Sequence, residues 1–171
     1  MYDKLFAFFN RFFEKATLFR VMFNISPMYR RSCGRLIFVS KDLHVVKIKI
    51  SLSYKNKNYV GSMFGGSLFS ATDPIYMIQL VQILGNDYVV WDKATEIKFK
   101  KPVYQNAFAT FEFSANEIAD IKNRVSTENA INYVKKLYIT NEKHVPFTEL
   151  DKTIYISSKS HYKKKLASRT S

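Results

Sequence analysis

The sequence predicts an α+β fold in which an antiparallel sheet of five or six strands wraps one face around a single apolar helix. Three observations lead there. Val46, Ile48, Ile50, Leu52 and Tyr54 alternate with Lys47, Lys49, Ser51, Ser53 and Lys55, the period of two that half-buries a strand. Gly65-Gly66 then opens a segment, Ser67 to Leu84, that carries Leu68, Phe69, Ile75, Met77, Ile78, Leu80, Val81, Ile83 and Leu84. Runs rich in β-branched and aromatic residues follow it, so strands lie on both sides of one helix along the chain. A chain of 171 residues suits one domain with one core.

Taken in order, residues 1–26 read as an extra amphipathic helix, with Leu5, Phe6, Phe8, Phe9, Phe12, Phe13, Leu18, Phe19, Met22 and Phe23 among Lys4, Arg11, Lys15 and Arg20. No uncharged run reaches the ~18 residues of a membrane span. Charges also interrupt every candidate signal-peptide core. The helix either docks on the sheet or caps a pocket, or it lies on a membrane surface through residues 4–24. Residues 27–159 form the main domain. Arg35 to Ser40 adds an edge strand, and after the central helix Thr95, Ile97 and Phe99 alternate with Glu96, Lys98 and Lys100. Ala107 to Phe113, Tyr133 to Thr140 and Phe147 to Ser157 complete the sheet. Between them Ser114-Ala-Asn-Glu117 is a capping box, with Ile118, Ile121 and Val125 on one helical face. The basic tail, 160–171, is polar and aperiodic, as a disordered end would be.

The run from Asn58 to Asp73 carries the chemistry. Glycine is unfavourable inside a helix by roughly 1 kcal/mol but costs little at its start, so Gly65-Gly66 marks the N-terminus. Unpaired N–H groups and the positive end of the dipole there suit a carbonyl oxygen or a phosphate, although a Gly-Gly turn can equally bind nothing. Asp73 is the only charge between Lys57 and Asp87. A carboxylate in apolar surroundings becomes an acid or base near neutrality. Asp73-Pro74 is also how a helix restarts, with Asp73 as N-cap and Pro74 at the first helical position, and the two roles are compatible.

The pattern Asn58-x-x-Gly61-x-x-Phe64-Gly65-Gly66, six residues, then Asp73 resembles the Asn-x-x-Gly-x-x-His-Gly-Gly-x6-Asp/Glu signature of hotdog-fold acyl-CoA thioesterases of the PaaI type. Together with Leu84-Gly85, Tyr88, Trp91-Asp92-Lys93 and Phe99-x-x-Pro102 it is closer still to domain-of-unknown-function family 4442, within the thioesterase-like hotdog superfamily. The resemblance implies a thioester carbonyl polarised by the Gly66 N–H and Asp73 as general base or nucleophile. Asn58 would hold the water or the glycine turn. Phe64, Gly65, Ser67, Tyr76, Met77 and Trp91 would lie against the substrate. It also implies an acyl group delivered by coenzyme A or an acyl carrier protein, no further cofactor, and a homodimer or higher oligomer joining sheets edge to edge. Two positions depart from the pattern: Phe64 replaces the motif histidine, and Met77 stands one turn past the acid where related enzymes often place Thr or Ser. Tyr76 and Met77 also fit core positions, and Trp91-Asp92-Lys93 also fits strand-end packing and a turn.

Net charge is +13, enough to concentrate phosphate ligands, nucleic acid or anionic lipid, but no nucleic-acid motif is visible. Cys33 stands alone, which suits a reducing cytoplasm. His44, His144 and His161 lie in separate segments without metal-ligand spacing, so no metal is expected. Three classes stay open: an acyl-CoA thioesterase, a non-catalytic acyl or acyl-CoA binder, and a peripheral-membrane or interaction protein working through its helix and basic tail.

Overall fold

The computed structural model describes residues 14–168. The apolar face expected over residues 5–13, and Arg169 with the last two residues of the tail, lie outside them. Six antiparallel strands form one sheet: β1 (Gly34–Val39), β2 (Val45–Ile50), β3 (Tyr88–Phe99), β4 (Ala107–Glu112), β5 (Ala130–Thr140) and β6 (Pro146–Ser158), in the order β1-β2-β4-β5-β6-β3. Alternation builds its inner face. Val46, Ile48 and Ile50 of β2, Ala107, Ala109 and Phe111 of β4, and Leu150, Ile154 and Ile156 of β6 are all buried. Among the described residues β3 lies at the far edge, paired with β6 alone.

Helices α1 (Lys15–Ile25) and α2 (Pro27–Arg31) precede the sheet. Leu18, Phe19 and Phe23 of α1 are buried, and Phe19 and Phe23 join the main core. Asn24 clamps α1 to β1, donating to Leu36 O (2.9 Å) and accepting from Leu36 N–H (2.8 Å). The described part of the N-terminal helix therefore docks on the sheet. Tyr29 of α2 is fully buried, and its hydroxyl donates to the Ala71 carbonyl at 3.0 Å. Burial pushes that hydroxyl well above the usual phenol range.

The single helix expected from Ser67 to Leu84 is two, α3 (Gly65–Thr72) and α4 (Ile75–Leu84). Pro74 has no N–H to continue the ladder, so the chain breaks at Asp73-Pro74 and restarts with Ile78 N–H on Pro74 O at 3.1 Å. Leu68, Ala71, Ile75, Leu80 and Leu84 are buried in the core, each leucine or isoleucine contributing about 1.5–3 kcal/mol. After β4 comes α5 (Ala115–Glu128), whose capping box has both bonds and whose Ile118, Ile121 and Val125 are buried. A Lys135–Glu117 ion pair at 2.6 Å fastens it to β5.

Several boundaries differ from those expected: β3 begins at Tyr88 rather than Thr95, so Trp91-Asp92-Lys93 lies inside the strand and not in a turn, and β5 begins at Ala130 rather than Tyr133. β2 ends at Ile50 because the next turn is tied down by Asn56, which donates to Ser51 O (3.0 Å) and accepts from Ser53 N–H (2.8 Å). At the other end the polar tail forms α6 (Lys159–Ala167). Ser158 caps it by accepting from His161 N–H at 3.3 Å, and Tyr162 and Lys165 lie against Tyr155, contacts that periodicity alone does not reveal.

Candidate active site

The polar groups singled out in the sequence fall into two clusters at opposite ends of α3. At its start Phe64 is the N-cap residue, and its side chain offers the helix no hydrogen bond. Ser67 and Leu68 N–H reach Phe64 O at 2.9 and 3.4 Å, while among the described residues the Gly65 and Gly66 N–H groups have no acceptor. They are the orphan donors of a helix N-terminus. Aromatic rings crowd both glycines: a Cβ on Gly66 would lie 2.2 Å from Phe64 Cε1, and one on Gly65 would lie 2.8 Å from Phe99 Cζ, so any larger residue must push an exposed ring aside. Two half-exposed aromatic rings thus lie against the glycine pair. Phe64 stands in the place of the motif histidine and supplies an apolar wall where a polar group was absent from the sequence.

Asn58 does not reach this turn. Its Oδ1 accepts from the N–H groups of Val60 (3.1 Å) and Ser62 (3.0 Å), and its Nδ2 donates to Ser62 Oγ at 2.8 Å. Gly61, at φ 81°, lets this tight loop close. Asn58 braces the loop that feeds the helix, and Phe64 N–H is held by Asn56 O at 2.8 Å. Ser67 is buried in α3.

At the other end Asp73 occupies the C-cap of α3 and has no cap bond to α4, which overturns its expected part as an N-cap. Pro74 takes that position instead, and the carboxylate turns to Lys152 on β6. Lys152 Nζ donates to the Asp73 backbone carbonyl and to Asp73 Oδ1 at 3.2 Å, and lies 3.5 Å from Asp92 Oδ1. Its side chain is fully buried, while those of Asp73 and Asp92 are 43% and 20% exposed. One cation thus serves two carboxylates. Burial holds the Asp92 carboxyl above the ordinary carboxylate range; Lys152 opposes this and the charge of Asp73 adds to it. The apolar surroundings expected for Asp73 are replaced by a lysine.

Lys152 escapes a search for motifs, yet it leaves a sequence signal. Leu150, Lys152, Ile154 and Ile156 share one parity, so a lysine stands where the strand's period demands an inward residue. Asp92 has the same parity as buried Val90. No local pattern pairs either with Asp73, because the contact closes a sequence separation of 79 residues.

A third feature is a cavity of about 480 Å³ between α1, α2, α4 and β3, with Met77 and Trp91 in its walls. Tyr76 is not among them. It is buried in the core, edge-on to Phe111 (4.9 Å) and Phe113 (5.1 Å), because its place on α4 faces β4.

Solved structures share this architecture. A Pseudomonas aeruginosa protein of unknown function, described as a probable thioesterase, is 18% identical and superposes with a TM-score of 0.73 over 83% of this chain and 95% of its own. A Chlorobaculum tepidum protein of unknown function is 15% identical, with a TM-score of 0.67 over 84% and 96%. A Haemophilus influenzae thioesterase is 10% identical, with a TM-score of 0.61 over 84% and 90%. No curated protein matches the sequence. The fold is the hotdog fold of thioesterase-like proteins, and the family pattern matches residues 15–156: the chain belongs to the family described as domain of unknown function DUF4442.

Proposed function

We propose that this protein is an acyl-thioester hydrolase. One observation carries the proposal: among the described residues α3 has two unbonded backbone donors at its start, and just past its end a partly exposed carboxylate held in place by a buried lysine. The donors suit the oxyanion that develops on a thioester carbonyl, and such preorganised donors are worth ~10²–10³ in rate each. Asp73 would take a proton from water as the water oxygen bonds to the carbonyl carbon. The C–S bond then breaks, and the proton passes to the departing thiolate, leaving a carboxylic acid and a thiol.

Within one chain Gly66 and Asp73 are seven positions apart, about 10 Å along a helix axis, and sit at opposite ends of α3, which is a long span for one thioester carbonyl and its water to bridge. Two copies paired through β3 would solve this. β3 is a 12-residue edge strand that exposes Trp91 and Phe99, a template for a second sheet. Asp92 marks the Asp73 end of β3 and Phe99 the Gly65 end. An antiparallel β3 pair with its two-fold axis between residues 95 and 96 sets Asp92 of one copy level with Phe99 of the partner subunit. Gly66 of one copy then meets the partner's Asp73. The bulge at Lys93 matters here: Asp92 and Phe99 are an odd number of positions apart, and the extra residue turns both toward α3.

A non-catalytic acyl binder is the second possibility, favoured by the Phe64 ring over Gly66, where the motif would place a histidine. Free-thiol release across short, long and aromatic acyl-CoAs separates the two, with Asp73→Asn alongside. Turnover by the wild type and none by the variant supports the hydrolase. Silence from both across the panel leaves the binder.

A further inference from the structure

The sheet edge opposite β3 carries a run of cations that the thioester site does not use. Leu36, Val46, Ile48 and Ile50 turn inward there, and the strand register puts a second set of residues on the other face. Arg35 stands opposite Lys49 and, past a bulge at Ile37, Phe38 stands opposite Lys47. On β4 Phe108 flanks Lys49. Like charges directly opposite one another weaken a strand pair. Among the described residues neither Arg35, Lys47 nor Lys49 has a carboxylate partner, and Glu112, on the same face of β4, lies beyond them opposite Val45. An anion seated between Arg35 and Lys49 would remove that penalty.

The run continues past Gly34, which pairs with Ile50. Ser51 N–H donates to Cys33 O at 3.4 Å and so carries the ladder to Cys33, which with Arg30, Arg31 and Lys55 lines a cleft of about 440 Å³. These three cations also lack a carboxylate partner among the described residues. From Cys33 to Phe38 is ~17 Å of strand. An exposed ring lies beside a lysine at each end of the run. Lys47 Nζ is 5.7 Å from the centre of the Phe38 ring, which is 46% exposed, and Lys55 Nζ is 5.8 Å from that of Tyr54, which is 86% exposed.

Exposed rings among unpaired cations suit a flexible polyanion whose flat bases are free to stack. A duplex keeps its base faces inside, and a lipid headgroup has none. An added strand is not the occupant, because Asn24 already holds the outward N–H and carbonyl of Leu36 on β1. Nor does a second copy paired through β3 cover this face, since β1 and β3 are opposite edges of the sheet. We infer that this face binds single-stranded nucleic acid without reading its sequence, the cations on phosphates and the Phe38 and Tyr54 rings on bases. It stands whether or not the thioester site turns over.

Fluorescence anisotropy of the full chain with labelled oligothymidylate and oligouridylate, about 20 nucleotides long, tests this between about 50 and 200 mM salt. A duplex of the same length and phosphatidylserine vesicles are the comparisons. Both single strands should bind at least tenfold tighter than the duplex. Six cations on phosphates give a slope of log K against log salt near −4, about −0.7 for each. Lys47→Gln with Lys49→Gln should shrink that slope by about 1.4 and weaken binding at least tenfold. Lys163→Gln with Lys164→Gln removes the same charge from exposed positions of α6 and should leave the slope unchanged. Phe38→Ala should keep the slope and weaken single strands at least fivefold. Lys47, Lys49 and Phe38 lie outside the core, and Lys49→Gln relieves Arg35 of a like charge, so folding is preserved. The inference is overturned by duplex binding as tight as single-strand binding, by equal losses from the two lysine pairs, or by an inert Phe38→Ala. Vesicle binding through Lys47 and Lys49 without single-strand binding, or no salt-dependent binding at all, overturns it too.

Discussion

Replacing Lys152 with Met tests the charge cluster most directly. Methionine keeps most of the buried volume and removes only the ammonium, so packing changes little. Two carboxylates then share a site without their cation. Removing one member of a buried ion pair costs ~3–5 kcal/mol. Here the low end applies: Asp73 is 43% exposed and can be hydrated, whereas Asp92, at 20%, is mostly sheltered. A loss of about 3 kcal/mol lowers Tm by roughly 6–12 °C for a domain of this size. The loss should also depend on pH. The folded Asp92 carboxyl already lies above its unfolded value, so between the two the folded state holds more protons, and stability falls as pH rises through that window. Without Lys152 nothing opposes burial and the charge of Asp73, and the window extends upward. Urea unfolding at pH 4.5 and 7.5 should therefore show a deficit that is small in acid and largest near neutrality, and adding Asp92→Asn should recover most of it. A variant as stable as wild type at pH 7.5, or a deficit equal at both pH values, would refute the reasoning.

Other outcomes follow from the same geometry. Gly66→Ala should change stability by less than about 1 kcal/mol, because the clashing atom ends a half-exposed Phe64 side chain that can swing away, yet it should cut thioester turnover by ~10²-fold or more as the displaced ring and new methyl crowd the donors; a stability loss without a rate loss would assign the glycine to packing alone. Mixing two inactive variants, Asp73→Asn and Gly66→Val, and refolding them together should restore about a quarter of wild-type activity, since half the dimers are mixed and each has one intact site; no recovery would place the site within one chain. Light scattering should give twice the monomer mass at micromolar concentration. Ser114→Ala should cost about 1 kcal/mol in urea unfolding by removing the bond to Glu117 N–H.

What could be read from the sequence alone was what short-range chemistry decides. The alternation of β2 and β6, the glycine pair that starts α3 and the Ser114–Glu117 box all concern residues within a few positions of one another, where backbone geometry leaves few choices. The motif from Asn58 to Asp73 was visible for the same reason, and so was the resemblance that rests on it. Tertiary structure decided what each member does. Asn58 spends its amide on its own loop, and Tyr76 turns into the core because β4 lies beneath it. Asp73 is no cap but one arm of a cluster whose lysine arrives from a strand 79 residues later. That meeting depends on the register of β6 against β3 and on where the α3–α4 junction falls against them, quantities set by the summed burial of the whole sheet face. A lysine on the apolar parity of β6 hinted that an inward charge needed a partner; only the folded chain could supply Asp73 and Asp92.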